Sequence, residues 1–227
     1  MLDCALVSLV VFCDFDGTIV PVDVEFEMFA RFGGPDKAGD VVARWERGEL
    51  TARDRIEQGF ANLNTPRAAL SRFLDEIPID PAFPAFVRYC RDHGLPLAIV
   101  SEGLTWYIHH ILGRHGIEPL PVLANEIEFA DPADISTARI LFPYFNGDCS
   151  PCRQCGCCKR DLLREPKGQG RQVVFISDGR ADRHAAREAD LLFARDPLLA
   201  YCVGQGIAAV PFRDFADVRE AMLERFG

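Results

Sequence analysis

Positive charge is in short supply here: 25 Lys and Arg face 34 Asp and Glu among 227 residues, a formal net charge of −9. The basic residues are scattered, with no stripe and no patch interleaved with aromatics, which argues against nucleic-acid binding. Long apolar runs are missing too. The one early stretch, Ala5 to Phe12, is too short to span a bilayer and lacks the basic start of a secretion signal, so a cytoplasmic protein with no membrane partner is expected. His93, His109, His110, His115 and His184 have no ligand-like spacing and are given no chemical role.

What the chain does have is a set of apolar runs that end in polar groups. Val7-Ser8-Leu9-Val10-Val11-Phe12-Cys13 leads into Asp14-Phe15-Asp16-Gly17-Thr18. A continuous apolar run reads as a strand buried on both faces of a parallel sheet, and ligands collect beyond the carboxyl ends of such strands. Taken alone, two aspartates one residue apart are also an ordinary acidic turn. Two further runs repeat the pattern. Leu97-Ala98-Ile99-Val100 ends in Ser101-Glu102-Gly103, and Val173-Val174-Phe175-Ile176 ends in Ser177-Asp178-Gly179, with Asp182 four positions beyond Asp178. Between them Cys158-Lys159-Arg160-Asp161-Leu162-Leu163 places Lys159 near the start of a helix. The set supplies carboxylates, a hydroxyl and a cation, which suits a phosphate or a metal.

At 227 residues the chain can carry one full α/β core and a small insertion. The stretch after the first motif changes character. Phe26, Met28, Phe29 and Phe32 recur at helical spacing up to Gly33-Gly34, and Ala38, Val41, Val42 and Trp45 continue the period. Thr51 with Asp54 resembles a capping box, and Thr65-Pro66 opens a helix bearing Leu70, Phe73 and Leu74. No strand pattern interrupts this stretch. The expected organisation is therefore a Rossmann-like parallel-sheet core, residues 1–21 plus 81–227, flanked by helices, with a helical cap inserted at 22–80. The core resumes with a helix from Asp80 to His93.

The order Asp14-Phe15-Asp16-Gly17-Thr18, then Ser101, then Lys159, then Asp178 with Asp182 resembles the four motifs of the haloacid dehalogenase superfamily, in its phosphoserine-phosphatase-like branch. The stretch Ala189 to Asp196, with the Cys-Gly-Cys-Cys-Lys ending at Lys159, is similar more narrowly to the methionine-salvage 2-hydroxy-3-keto-5-methylthiopentenyl-1-phosphate phosphatase group. The resemblance implies a Mg²⁺-dependent phosphatase of a small phosphorylated metabolite. The enol phosphate of methionine salvage is the first substrate, with phosphoserine or another compact phosphate as the alternative. It implies Asp14 as a nucleophile that becomes an aspartyl-phosphate and Asp16 as acid and then base. Thr18, Ser101, Glu102, Gly103 and Lys159 would hold phosphate. Asp14, the carbonyl of Asp16 and Asp178 would hold Mg²⁺, with Asp182 orienting metal-bound water. Asp16 also bears on the reaction, since dehalogenases and phosphonate-cleaving relatives lack an aspartate there. Ser177 departs from the family's usual Gly, and Glu102 brings a charge into the second motif. In the cap, Asp23 stands where related phosphoserine phosphatases carry a substrate-binding glutamate, and Arg53 or Arg55 could face an anion. A helix N-cap and solvated surface charges explain the same residues.

Five of the nine cysteines, Cys149, Cys152, Cys155, Cys157 and Cys158, fall within ten residues. Cys-x-x-Cys spacings can bring thiolates to one structural Zn²⁺, although the array is compressed and has no distant second knuckle. Reduced thiols or a redox-sensitive loop are the other readings. A reading of a different class follows from the same loop: a non-catalytic metal- or redox-sensing module that keeps the fold. The intact set of Asp14, Asp16, Lys159 and Asp178 argues for an enzyme instead. Cys13 and Cys90 lie on apolar elements and read as core residues.

Overall fold

In a computed structural model, residues 9–131, 135–149 and 155–226 are described. In chain order the elements are β1 (Leu9–Cys13), α1 (Val24–Gly33), α2 (Pro35–Glu46), α3 (Ala52–Ala61), α4 (Arg67–Asp75), α5 (Phe83–Asp92), β2 (Leu97–Leu104), α6 (Thr105–Arg114), β3 (Val122–Phe129), β4 (Ala138–Leu141), α7 (Lys159–Gly168), β5 (Gln172–Ser177), β6 (Leu191–Ala194), α8 (Leu198–Gln205), β7 (Val210–Pro211) and α9 (Phe215–Phe226). The architecture is α/β, with seven strands in the order β4-β3-β2-β1-β5-β6-β7. Among these helices none is long and apolar enough to cross a membrane.

The described residues of 9–21, 79–100 and 159–226 make one compact unit. All five residues of β1 are buried, as expected for a strand paired on both edges. Its Cys13 lies opposite Ile99 of β2 and Ile176 of β5, both parallel. β6 and β7 extend the sheet, again parallel. The chain passes outward from β1 through β2 and later returns to the other side of β1 as β5. That reversal is a topological switch point, where carboxyl-end loops diverge and leave room for a ligand. Val7 and Ser8 of the apolar run lie outside the described residues. Helix α5 begins at Phe83 rather than Asp80 because Asp80 is spent on its surroundings. Its carboxylate accepts from Ala82 N–H at 2.8 Å and Phe215 N–H at 3.1 Å. Phe83 and Phe215 then stack edge to face at 4.8 Å in the core. Cys13 and Cys90 are buried there, and burial pushes the Cys90 thiol up to about 12, as suits an inert core residue.

The second unit contains the described residues of 22–78 and 101–158. It holds the helical stretch α1 to α4 together with α6, β3, β4 and the far half of β2. Asp23 caps α1 by accepting from Phe26 N–H at 2.9 Å. The Thr51/Asp54 capping box opens α3, and α4 follows Pro66. β2 does not end at Val100: it runs on through Ser101-Glu102-Gly103 to Leu104. The Asn125 side chain holds that extension, donating to the Glu102 carbonyl at 2.5 Å. β3 and β4, an antiparallel pair, carry Glu126 and Glu128 in place of an apolar run, which is why they left no strand signal.

Gly59, inside α3, is where α1 comes close. A Cβ on Gly59 would run into the ring of Phe29, which stacks edge-on with Phe60 at 5.3 Å and 83°. Alanine ordinarily favours a helix interior over glycine by about 1 kcal/mol. Here the sign reverses: Gly59→Ala should destabilise the protein by ~1–3 kcal/mol through overpacking. A lowered Tm in a thermal melt is the expected outcome, and a raised one would show that Phe29 yields without cost.

Candidate active site

The first unit gathers its charged side chains just beyond the ends of β1 and β5. Asp14 follows β1 directly, its N–H bonded to the Ile176 carbonyl at 2.9 Å, so the sheet itself fixes its backbone. The side chain is 6% exposed, and its Oδ1 accepts from Phe15 N–H at 2.7 Å and from Lys159 Nζ at 2.7 Å. Lys159 is the first residue of α7 and is itself buried. Its ammonium also meets Asp182 Oδ1 at 2.8 Å. Asp182 in turn accepts from Ser177 Oγ at 2.5 Å. The serine that departs from the family's usual glycine therefore holds the acidic partner of the lysine.

Asp178 is anchored separately. Thr18 Oγ1 donates to its Oδ1 at 2.6 Å. The Asp14-to-Thr18 loop turns at Gly17, whose φ of +72° favours glycine, and a Cβ there would collide with the Asp178 carboxylate. Arg195, beyond β6, donates to the backbone carbonyls of Gly17 and Thr18, the latter at 3.1 Å. Sequence reasoning had not singled out Arg195. The only signal was its place directly after a short apolar run, within a stretch noted for its resemblance. Asp16, on the same loop, is half-buried and its backbone bridges to Val20.

Carboxylates outnumber cations at this place. Burial raises the Asp14 pKa well above the usual carboxylate range, and the Asp182 charge raises it further against the pull of Lys159. Asp178 is raised by burial, with Asp182 adding and the Thr18 hydrogen bond opposing. Burial works against the Lys159 charge, yet Asp14 and Asp182 outweigh it and its pKa stands well above the ordinary value. The lysine is charged, since two carboxylates lie within 3 Å of its nitrogen. The elevated Asp14 and Asp178 register burial first and, after it, the neighbouring Asp182 charge. Hard oxygen donors with surplus negative charge are the donor chemistry that Mg²⁺ takes, so the residues present fit that ion.

In the second unit, Ser101 is buried and its Oγ accepts from Gly103 N–H at 2.9 Å. Among the cysteines, Cys149 and Cys158 are buried with sulfurs within 4.8 Å of each other. Cys157 points elsewhere, to the Leu123 carbonyl at 3.7 Å, and Cys155 is half-buried. Cys152 lies outside the described residues. Arg55 is no solvated surface charge, and Arg53 is half-buried. Arg55 is buried against Glu25 at 3.1 Å, and Arg53 lies 3.8 Å over the Phe145 ring.

Known proteins show the family of this chain. A 2-hydroxy-3-keto-5-methylthiopentenyl-1-phosphate phosphatase from Bacillus velezensis is 32% identical over 216 residues, covering 92% of this chain and 87% of that protein. One of the same name from Exiguobacterium sp. is 31% identical, covering 93% and 96%. In fold the chain is similar to a phospho-aspartyl intermediate analogue of phosphoserine phosphatase, with TM-score 0.69, 18% identity, and 97% of this chain and 99% of that one covered. A substrate-bound phosphoserine phosphatase gives the same TM-score and identity, covering 97% and 98%. Residues 11–187 match the model of the haloacid dehalogenase-like hydrolases, so the chain belongs to that family, as one of its phosphatases.

Proposed function

We propose that this phosphatase hydrolyses the enol phosphate 2-hydroxy-3-keto-5-methylthiopentenyl-1-phosphate through an aspartyl-phosphate on Asp14. The substrate is carried by the names of the relatives at about 30% identity, which the chain matches almost end to end. The mechanism is carried by one observation: Asp14 is buried with Oδ1 fixed by Lys159 and Phe15 N–H. We assign the attack on phosphorus to the other oxygen, Oδ2. Phosphoserine is the second substrate reading, favoured by likeness of fold alone.

In the proposed reaction a bond forms between Asp14 Oδ2 and phosphorus while the ester P–O bond breaks, and Asp16 gives its proton to the leaving oxygen. Water then attacks phosphorus, passes a proton to Asp16 and releases inorganic phosphate from Asp14. Little covalent work falls to the protein in such a transfer, so most of the acceleration comes from position and charge. Mg²⁺, held by Asp14, Asp178 and the Asp16 carbonyl, would when bound neutralise the phosphate oxygens and the crowded carboxylates. Lys159 and Asp182 fix the nucleophile. The Thr18 proton is committed to Asp178, so we assign Thr18 to holding that carboxylate. Ser101, whose Oγ accepts from Gly103 N–H, would give its own O–H to a phosphate oxygen together with the backbone around Glu102, as the family resemblance implies.

The cap reading of 22–80 is supported by its make-up, four helices with no strand. A structural Zn²⁺ at the cysteine loop has narrower support, since a tetrahedral site needs four donors and the described residues bring the sulfurs of Cys149 and Cys158 together. Metal analysis of the purified protein tests it: zinc retained through dialysis supports the site, and its loss argues for plain thiols.

Two substitutions test the mechanism. Asp14→Asn should cut phosphate release to below about a thousandth while leaving the circular dichroism unchanged, because the amide cannot attack phosphorus. Substantial turnover would rule out Asp14 as nucleophile. Asp178→Ala should raise the Mg²⁺ concentration for half-maximal activity by about tenfold or more, since a charged ligand is lost. An unchanged metal titration would place the cation elsewhere.

A further inference from the structure

Arg195 stands outside the four motifs, just beyond β6 in the first unit, and its hydrogen bonds go to backbone carbonyls. Its Nη2 serves two consecutive carbonyls, those of Gly17 and Thr18, the latter at 3.1 Å. Nη1 donates to the Arg213 carbonyl at 3.0 Å, and the guanidinium carbon lies 5.2 Å from the centre of the Phe212 ring. The backbone N–H of Arg195 bonds to the Ser177 carbonyl at 3.3 Å, so the clamp is itself seated on the sheet. A planar guanidinium held at this many points keeps its orientation and loses little freedom for each bond it makes.

The loop it grips is one tight turn. The N–H groups of Thr18, Ile19 and Val20 all meet the Phe15 carbonyl, at 3.2, 2.8 and 3.1 Å. In its middle stands Gly17 at φ +72°. Glycine permits that conformation but does not enforce it, because it lacks the Cβ that narrows the backbone's choice. Asp16 sits directly before this soft point. On its other side Asp14 is fixed by the sheet, through the Ile176 carbonyl at 2.9 Å. Beyond Asp16 the chain is fixed by Arg195, at the Gly17 carbonyl itself, and by the Thr18 hydroxyl on Asp178. A side chain that hands a proton to a leaving oxygen acts only within hydrogen-bond reach, and a displacement of about 1 Å can cost about a hundredfold. We propose that Arg195 is a positioning residue for Asp16: by holding the Gly17 and Thr18 carbonyls it aims the Asp16 carboxyl group at the leaving oxygen. The inference rests on the phosphatase reading, with Asp16 as its acid, and adds to that reaction a residue from outside the motifs.

The test uses two esters of nearly the same shape, p-nitrophenyl phosphate and phenyl phosphate, with Mg²⁺ saturating for each protein. p-Nitrophenolate departs readily without a proton, whereas phenolate is the stronger base and gains from one, so the ratio of their kcat/KM values reads the acid. Asp16→Asn, the reference, should lower phenyl phosphate about a hundredfold more than p-nitrophenyl phosphate. Arg195→Gln should move the ratio in the same direction by at least about tenfold. A merely structural role would lower both esters alike and leave the ratio at its wild-type value. Should Arg195→Gln fail to fold by circular dichroism, Arg195→Lys, which keeps the charge and loses the planar fork, should move the ratio the same way. A folded Arg195 variant with an unmoved ratio overturns the inference, while wild-type turnover of p-nitrophenyl phosphate leaves the phosphatase reading standing. Asp16→Asn that lowers both esters alike overturns the acid assignment and the inference with it. No phosphate release from either ester by the wild-type protein overturns the phosphatase reading itself.

Discussion

The Lys159 ammonium lies 2.7 Å from Asp14 and 2.8 Å from Asp182, all three side chains buried. These residues come from positions far apart in the chain, the end of β1, the start of α7 and the turn after β5. A buried charge is tolerated only when paired, and removing one partner leaves the other stranded in a low-dielectric interior. The contact therefore constrains folding and chemistry at once. It fixes which way the Asp14 carboxylate points and ties down the loop ends that the sheet brings to its switch point. The remaining contacts follow from it. Ser177 holds Asp182, Thr18 holds Asp178, and Arg195 holds the carbonyls of the loop that carries Asp14.

The aspartates gathered at the sheet's end, Asp14, Asp178 and Asp182, were legible because each follows a short apolar strand, and strand period and turn residues are local signals. Lys159 was legible as a helix start, and α7 begins at that residue. The Thr51/Asp54 box was legible for the same reason, since its two hydrogen bonds span three residues. What stayed hidden depends on contacts across the sequence. Nothing local says that Thr18 will give its proton to a residue 160 positions away, or that Arg55 will be buried on Glu25 30 positions back. A surface-charge reading of Arg55 follows from its sequence neighbours, and only the packing of α1 on α3 overturns it. β2 was read three residues short because Ser101-Glu102-Gly103 looks like a turn. Its continuation relies on an Asn125 hydrogen bond from β3 that no pattern announces.

Charge is handled in opposite ways in the two units. In the first, negative groups exceed positive ones and the excess is kept. Asp14 and Asp178 have folded-state pKa values raised above those of the unfolded chain, with burial the largest cause. A raised carboxylate contributes its stability below the unfolded value and loses it as pH rises through the folded one. Near neutrality these two groups therefore oppose folding unless something supplies positive charge, and a divalent cation among hard oxygen donors would do so. Strain of this kind is useful where a ligand relieves it. In the second unit the one buried charge pair described, Glu25 with Arg55, is balanced within the protein. A site that must take the same phosphate and metal every time benefits from an unmet charge.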